Sequence, residues 1–272
     1  MSLTTGFLHP GAMGASLAAA CRGTRLWCSD GRSSATRARA AAAGMEEVSS
    51  LGELVDRSDV VISVCPPASA ADVAGAVTEA GFEGIYVDVN AVSPASARAI
   101  GERFDRFVDG GVIGPPVRVA GSTRLYLAGP EAAEVAELWT GSLLDTRIVD
   151  GAAGAASAVK ICFAAWTKGT AALLLAIRAL AAAEGVETSV LAEWETSMPA
   201  LLQQSEAAAS TSAPKAWRFS GEMEEIGRSF AANGLPDGFG IAAADIYERL
   251  AGFKDSPSVT LAEVLDALLN RC

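Results

Sequence analysis

Short apolar runs and helix-like segments take turns through the first half of the chain. Residues 4–8, 24–28, 60–64, 85–89, 107–112, 124–128 and 146–149 read as strands. The run Val60-Val61-Ile62-Ser63-Val64 has the unalternating, β-branched composition of a strand covered on both faces. Residues 12–21, 37–43, 51–56, 71–80, 94–104 and 131–139 read as helices between them, with Gly44 closing the second and Ser93-Pro94 opening the fifth. Strand then helix, repeated, predicts an α/β domain over residues 1–150: a mostly parallel sheet with helices on both faces.

The pattern changes at Asp150. Residues 152–184 contain no turn signal strong enough to divide them, because Gly154 and Gly169 are tolerated among Ala, Leu and Ile. They predict one helix of roughly thirty residues, about 45 Å long. Apolar side chains all round it require burial on every side, more than one small domain supplies, so a second copy of the chain is expected against it. Lys168 and Arg178 interrupt the stretch, and residues 169–177, its longest uncharged piece, fall short of the ~20 residues of a membrane span. The remainder reads as all helix: residues 190–204, 214–233, 238–250 and 261–270. The expected second domain is therefore an all-α region, residues 151–272, joined to the first by the long helix.

Composition narrows the chemistry. A formal net charge of −11 excludes a basic face for nucleic acid. Cys21, Cys28, Cys65, Cys162 and Cys272 are odd in number and irregular in spacing, which fits neither a disulfide framework nor a metal site. No basic stretch leads into an apolar run at the N-terminus, so no signal peptide is expected, and a reducing cytoplasm is the expected compartment. Nothing has metal-ligand spacing.

The most specific feature is His9-Pro10-Gly11-Ala12-Met13-Gly14, which lies where the first strand turns into the first helix. In the dinucleotide-binding G-x-G-x-x-G turn of a Rossmann domain, the second glycine lets backbone approach a pyrophosphate and the third lets helix and strand pack closely. Gly11 and Gly14 take those places, and His9, the only histidine, takes the first. Phosphates are expected at the N-terminus of the following helix, with His9 a wall of the pocket rather than a catalyst. The second strand ends in Cys28-Ser29-Asp30-Gly31-Arg32-Ser33-Ser34. Arg32 with Ser29 and Ser33 suits the 2′-phosphate of NADP, reinforced by Arg37, while Asp30 keeps NAD as the alternative. Two more strand ends face the same crevice. One carries Cys65-Pro66-Pro67; the other carries Asn90, suited to a ribose or carboxamide, and Ser93, suited to the substrate or to capping the next helix.

In this order the motifs resemble the β-hydroxyacid dehydrogenase superfamily, which includes 6-phosphogluconate and 3-hydroxyisobutyrate dehydrogenases and the imine reductases. The matching residues are Gly11-Ala12-Met13-Gly14, residues 88–94 from Asp88 to Pro94, residues 109–116 from Asp109 to Pro116, and residues 151–160 ending in Lys160. The closing segment, with Lys215-Ala216-Trp217-Arg218 and residues 234–239, looks like a subgroup of unknown function with its own C-terminal domain type.

The resemblance implies a Rossmann domain, a long interdomain helix, a helical C-terminal domain, a homodimer, an active site in the cleft and Lys160 as the catalytic residue. It also implies Gly114 and Ala164 at the substrate. Where the hydroxyacid enzymes carry a Ser and an Asn, this chain has Ile113 and Ala164, which argues against an ordinary small β-hydroxyacid. Hydride transfer to a carbonyl needs a proton donor at the forming alkoxide, and a Lys on a largely apolar helix suits that task. The expected function is NAD(P)-dependent hydride transfer with a small-molecule hydroxy acid, keto acid or related carbonyl. An imine reductase is the alternative within the class, and a cofactor-binding regulator without turnover is the alternative outside it. Lys168, about two turns on but rotated from the Lys160 face, is a weaker candidate for the proton; Trp166, Trp194, Trp217 and Met223 are expected to pack, and Glu224-Glu225 to form a solvated helix face.

Overall fold

A computed structural model describes residues 3–270. The chain divides into two compact units, the first running through Lys160 and the second from Ile161. That division falls ten residues beyond the boundary expected at residue 150, inside the long helix rather than before it.

The first unit is built on one sheet of eight strands: β1 (Thr4–Phe7), β2 (Thr24–Cys28), β3 (Glu46–Val48), β4 (Val60–Ser63), β5 (Ile85–Asp88), β6 (Phe107–Ile113), β7 (Arg124–Ala128) and β8 (Asp145–Ile148). Their order is β3-β2-β1-β4-β5-β6-β7-β8. All neighbours run parallel except β6 and β7. The helices are α1 (Ala12–Ala20), α2 (Ser34–Ala42), α3 (Leu51–Asp56), α4 (Ala70–Glu79), α5 (Pro94–Gly101) and α6 (Ala132–Ala136).

Successive strand residues feed opposite layers. Val60 and Ile62 of β4 pack with Leu17 of α1, Ala40 of α2 and Val135 of α6, whereas Val61 packs with Leu54 of α3, Ala74 of α4 and Ile100 of α5. Both faces of the sheet are thus covered, as the β-branched run Val60–Ile62 requires. β3 was not legible in the sequence: Glu46 and Glu47 are exposed, and only Val48 carries an apolar signal.

The chain moves from β1 outward through β2 to β3, then returns to place β4 on the other side of β1. The reversal falls between β1 and β4, and it is beyond the carboxyl ends of strands at such a reversal that open α/β sheets receive ligands.

Helix α7 (Ala155–Ala183, 29 residues) carries the chain from one unit into the next. By length and composition alone it could cross a membrane. In the second unit its two charges are held internally. Lys168 Nζ lies 2.7 Å from the Glu222 carboxylate; Arg178 lies 2.7 Å from Glu187 and donates to Ser205 Oγ at 2.9 Å. One copy of the chain alone does not bury this helix on every side, since Trp166 is 72% exposed.

The rest of this unit is α8 (Glu187–Ser197), α9 (Ala200–Ser212), α10 (Ala216–Ala231), α11 (Gly238–Arg249) and α12 (Leu261–Leu269). Residues 190–204, expected as one helix, are split between α8 and α9. The residue before a proline is driven out of the α region, and Met198, before Pro199, has φ −148° and ψ 61°.

Candidate active site

The glycine loop begins where β1 stops. Gly11 N–H donates to His9 C=O at 2.8 Å, closing a tight turn, and α1 starts directly after it. Gly14 is demanded by packing, because a Cβ there would lie 2.3 Å from the His9 carbonyl oxygen. Gly11 is different. Its φ of −67° suits any residue, and a Cβ there would meet nothing within 4 Å. The fold gives no reason for a glycine at 11, whereas a ligand lying on the backbone does. Helix α1 has no side-chain cap and no acidic residue in its first turn, so its leading N–H groups are available to an anion.

The loop after β2 reaches this turn. Arg32 is close enough for its positive charge to act on both His9 and Cys65. Burial, assisted by Arg32, pushes the His9 imidazole down to about 4, so the ring is neutral at neutral pH. His9 Nδ1 and Arg32 Nε are both buried without a hydrogen-bond partner. Such orphaned groups are rare in finished interiors, and they fit an anionic ligand at these strand ends.

The other arginines are engaged. Arg37 pairs with Glu47 at 2.7 Å and donates to the Ser29 carbonyl at 3.0 Å, so the expected reinforcement by Arg37 is not free to act. Arg39 Nε donates to the Pro10 carbonyl at 3.3 Å, tying α2 to the glycine loop. Ser33 caps α2 by accepting from Thr36 N–H at 3.3 Å. Ser29 is buried, and Asp30 is exposed.

Asn90 joins two strand ends. Its side-chain amide donates to Ser63 Oγ at 3.0 Å and to Asp88 Oδ2 at 2.9 Å, and its oxygen accepts from Cys65 N–H at 2.5 Å. Both amide hydrogens are therefore committed, which makes Asn90 a clamp on the Cys65-Pro66-Pro67 loop rather than a donor to ribose. Burial pushes the Cys65 thiol up to about 11, so it is no nucleophile at neutral pH. Ser93 takes the capping role, accepting from Ser96 N–H at 3.1 Å at the start of α5. Gly114 has φ +123°, and a Cβ there would lie 2.3 Å from the Ser122 carbonyl oxygen, so it is held by backbone geometry. Ala164 is buried in the helical unit's apolar core, a packing position.

Lys160 lies on α7, and its Nζ donates to the Val112 carbonyl near the C-terminal end of β6. Two residues of the matching run 109–116, to which the sequence assigned no role, arrange this. Asp109, fully buried on β6, accepts from Gly154 N–H and Ser157 N–H at 2.9 Å each, and from Ser157 Oγ at 2.5 Å. Gly111 leaves room for the helix, since a Cβ there would lie 2.8 Å from the Ala156 carbonyl oxygen and 3.1 Å from Lys160 Cβ. Asp109 is paired in register with Asp88 of β5. Burial raises both carboxyls, that of Asp88 to about 7, while Asn90's hydrogen bonds oppose the rise. A charged residue in an otherwise apolar strand was the available signal for Asp109. Among the described residues no cluster of His, Cys, Asp or Glu could hold a metal ion.

A conserved protein of unknown function, described as structurally similar to 3-hydroxyacid dehydrogenases, superposes with a TM-score of 0.70 at 27% identity over 91% of this chain and 98% of its own. A 3-hydroxyisobutyrate dehydrogenase of Mycobacterium tuberculosis, solved with L-serine, gives 0.69 at 21% identity over 99% and 100%. A reductive aminase of Aspergillus terreus, solved with NADPH, cyclohexanone and allyl amine, gives 0.56 at 17% identity over 98% and 100%. In sequence, an uncharacterised 28.5 kDa protein of Methanothermus fervidus is 33% identical over 156 residues, which span 57% of this chain and 60% of that protein. Residues 181–250 match a domain of unknown function, DUF1932. The chain thus has the fold of the 3-hydroxyacid dehydrogenases, a Rossmann-like parallel sheet followed by a helical region that contains α7.

Proposed function

We propose that this chain is an oxidoreductase that uses NADP, with NAD as the alternative, and acts on a small hydroxy acid, keto acid or related carbonyl. One arrangement carries the reading. Gly11 sits under open space, and the unbonded His9 Nδ1 and Arg32 Nε lie at the same strand ends. A dinucleotide phosphate would offer the acceptor oxygens that Arg32 lacks, and a 2′-phosphate fits a guanidinium beyond β2. The fold neighbour solved with NADPH supports the same cofactor.

When bound, the nicotinamide supplies or accepts hydride. The chain's own task is the proton. Lys160 Nζ, steadied by the Val112 carbonyl, donates a proton to the oxygen that gains charge on reduction and takes it back on oxidation. His9 is a poor proton donor for that task, because its ring is held neutral and is not the imidazolium a general acid would need.

An imine substrate is the second reading, favoured by a specific observation. Ile113 and Ala164 are buried apolar side chains, so neither supplies a hydroxyl or amide to grip a carboxylate. Turnover decides: cofactor oxidation with cyclic imines and none with 3-hydroxy acids selects the imine, and the reverse selects the hydroxy acid. A chain that binds NADPH and turns over neither class is a regulator.

We also propose a cytoplasmic homodimer. Phe163, Trp166, Leu173 and Leu180 are exposed on α7, and Trp166, Leu173 and Leu180 recur every seven residues, the spacing of a helix seam that a second copy covers. Sedimentation of wild type and Leu173→Glu tests this, with dimer expected for the first and monomer for the second.

A further inference from the structure

Asp109, Gly111 and Ile113 project to one side of β6, because alternate strand residues share a face. Against this face lies the start of α7, with Ala156 and Lys160 one turn apart over Gly111. Gly154, the residue before the helix, has no side chain to cap it. Its leading N–H groups would be orphaned in a buried setting. Asp109 supplies the missing acceptor from outside, taking the Gly154 and Ser157 N–H groups and the Ser157 hydroxyl. A carboxylate also suits the positive end of the helix dipole.

We infer that Asp109 is the positioning residue for Lys160: its carboxylate locks the first turn of α7 onto β6 and so sets where the Lys160 amine sits. An apolar residue at 109 would bury as much surface, but it would fix neither the rotation nor the advance of the helix. Three directed bonds fix both. Lys160 follows Ser157 by three residues, nearly one turn, so a slip of the first turn moves its amine off the Val112 carbonyl. Gly111 keeps the contact close enough for this coupling to be stiff.

The inference rests on Lys160 as the proton-handling group, yet it can be tested apart from turnover. The chain has four lysines, Lys160, Lys168, Lys215 and Lys254, so a 13Cε-lysine-labelled sample gives a resolvable NMR spectrum, with Lys160→Ala assigning the Lys160 signal. In Asp109→Asn, which keeps the volume but exchanges one acceptor oxygen for an amide donor, the Lys160 signal and its titration midpoint should move while the other three stay in place. A Lys160 signal unmoved in folded Asp109→Asn overturns the inference. In turnover, kcat should fall about 100-fold, the effect of an ångström-scale misplacement, with the KM for NADPH changed less than about twofold. The double variant Asp109→Asn/Lys160→Ala should be no slower than Lys160→Ala; a multiplied loss would mean that Asp109 acts independently. If Asp109→Asn does not fold, Ser157→Ala, which removes one of the three bonds, gives the same comparison at smaller amplitude. Absence of turnover in the wild type would contradict the role of Lys160 and leave the lysine spectrum to judge Asp109.

Discussion

The two units handle buried charge in opposite ways. In the helical unit a cation meets a carboxylate: Lys168 meets Glu222, and Arg178 meets Glu187 with Ser205 completing its bonds. In the sheet unit Asp88 and Asp109 lie deeper, and they are held by N–H and O–H groups of Asn90, Gly154 and Ser157. Paired charges fix how helices dock and leave little chemistry over. Carboxylates held by loops and helix starts at strand ends leave their protonation sensitive and their neighbours precisely oriented, which is how sites differ from scaffolds. The chemistry is therefore expected in the sheet unit, and the helical unit is expected to support it.

Substitutions can break that contrast. The largest effect is expected from Lys160→Ala, which should cost about 10³-fold in kcat while NADPH affinity is retained, since a positioned acid–base group contributes on that scale. In the helical unit, Glu222→Ala leaves Lys168 unpaired at 13% side-chain exposure. Its stability should fall by about 3 kcal/mol in a denaturant titration, with NADPH affinity unchanged, because an uncompensated buried charge is expensive. If Glu222→Ala instead lowered NADPH affinity and spared stability, the division of labour would be wrong. Arg32→Ala should weaken NADP by about 10- to 100-fold, the worth of charge-assisted hydrogen bonds, and leave NAD almost unchanged.

The most gradual effect is a pH slope, spread between 3.8 and about 7. Burial raises the folded-state pKa of Asp88 from 3.8 to about 7, so the stability it contributes is full below 3.8 and is lost as pH rises through about 7. His9 acts with the opposite sign: its pKa is lowered from 6.5 to about 4, so its contribution is present above 6.5 and is lost as pH falls through about 4. Asp88→Asn should therefore flatten the decline toward neutral pH, by at most about 1.4 kcal/mol per pH unit, in melts run on a His9→Gln background.

Most of the fold was legible because its signals are local. Val60–Ser63 announces a doubly covered strand, Ser93-Pro94 a helix start, and Arg124–Ala128 falls where its pattern puts it. β3 was not, because its pairing with β2 overrides the polarity of Glu46 and Glu47. The break at Pro199 carried its own signal, masked by the helix-forming residues on both sides. At the site, Gly11, Gly14 and Arg32 could be proposed from position along the chain, and Lys160 only from the family resemblance. Asp109, Ser157 and Gly111 could not, because their roles exist only once β6 and α7 are side by side, 48 residues apart in sequence for Asp109 and Ser157. The same holds for Asn90, whose donors are consumed by Ser63 and Asp88.

The central claim is that a dinucleotide lies on the glycine loop, and Gly11→Ala tests it with the least disturbance, since the added Cβ meets nothing in the protein itself. Calorimetric titration of NADPH into wild type and Gly11→Ala, with thermal melts of both, is the measurement. The account predicts saturable binding by the wild type, binding lost or weakened at least tenfold in Gly11→Ala, and melting temperatures that agree. A wild type that binds neither NADPH nor NADH, or a Gly11→Ala variant that binds as tightly as the wild type, would contradict it.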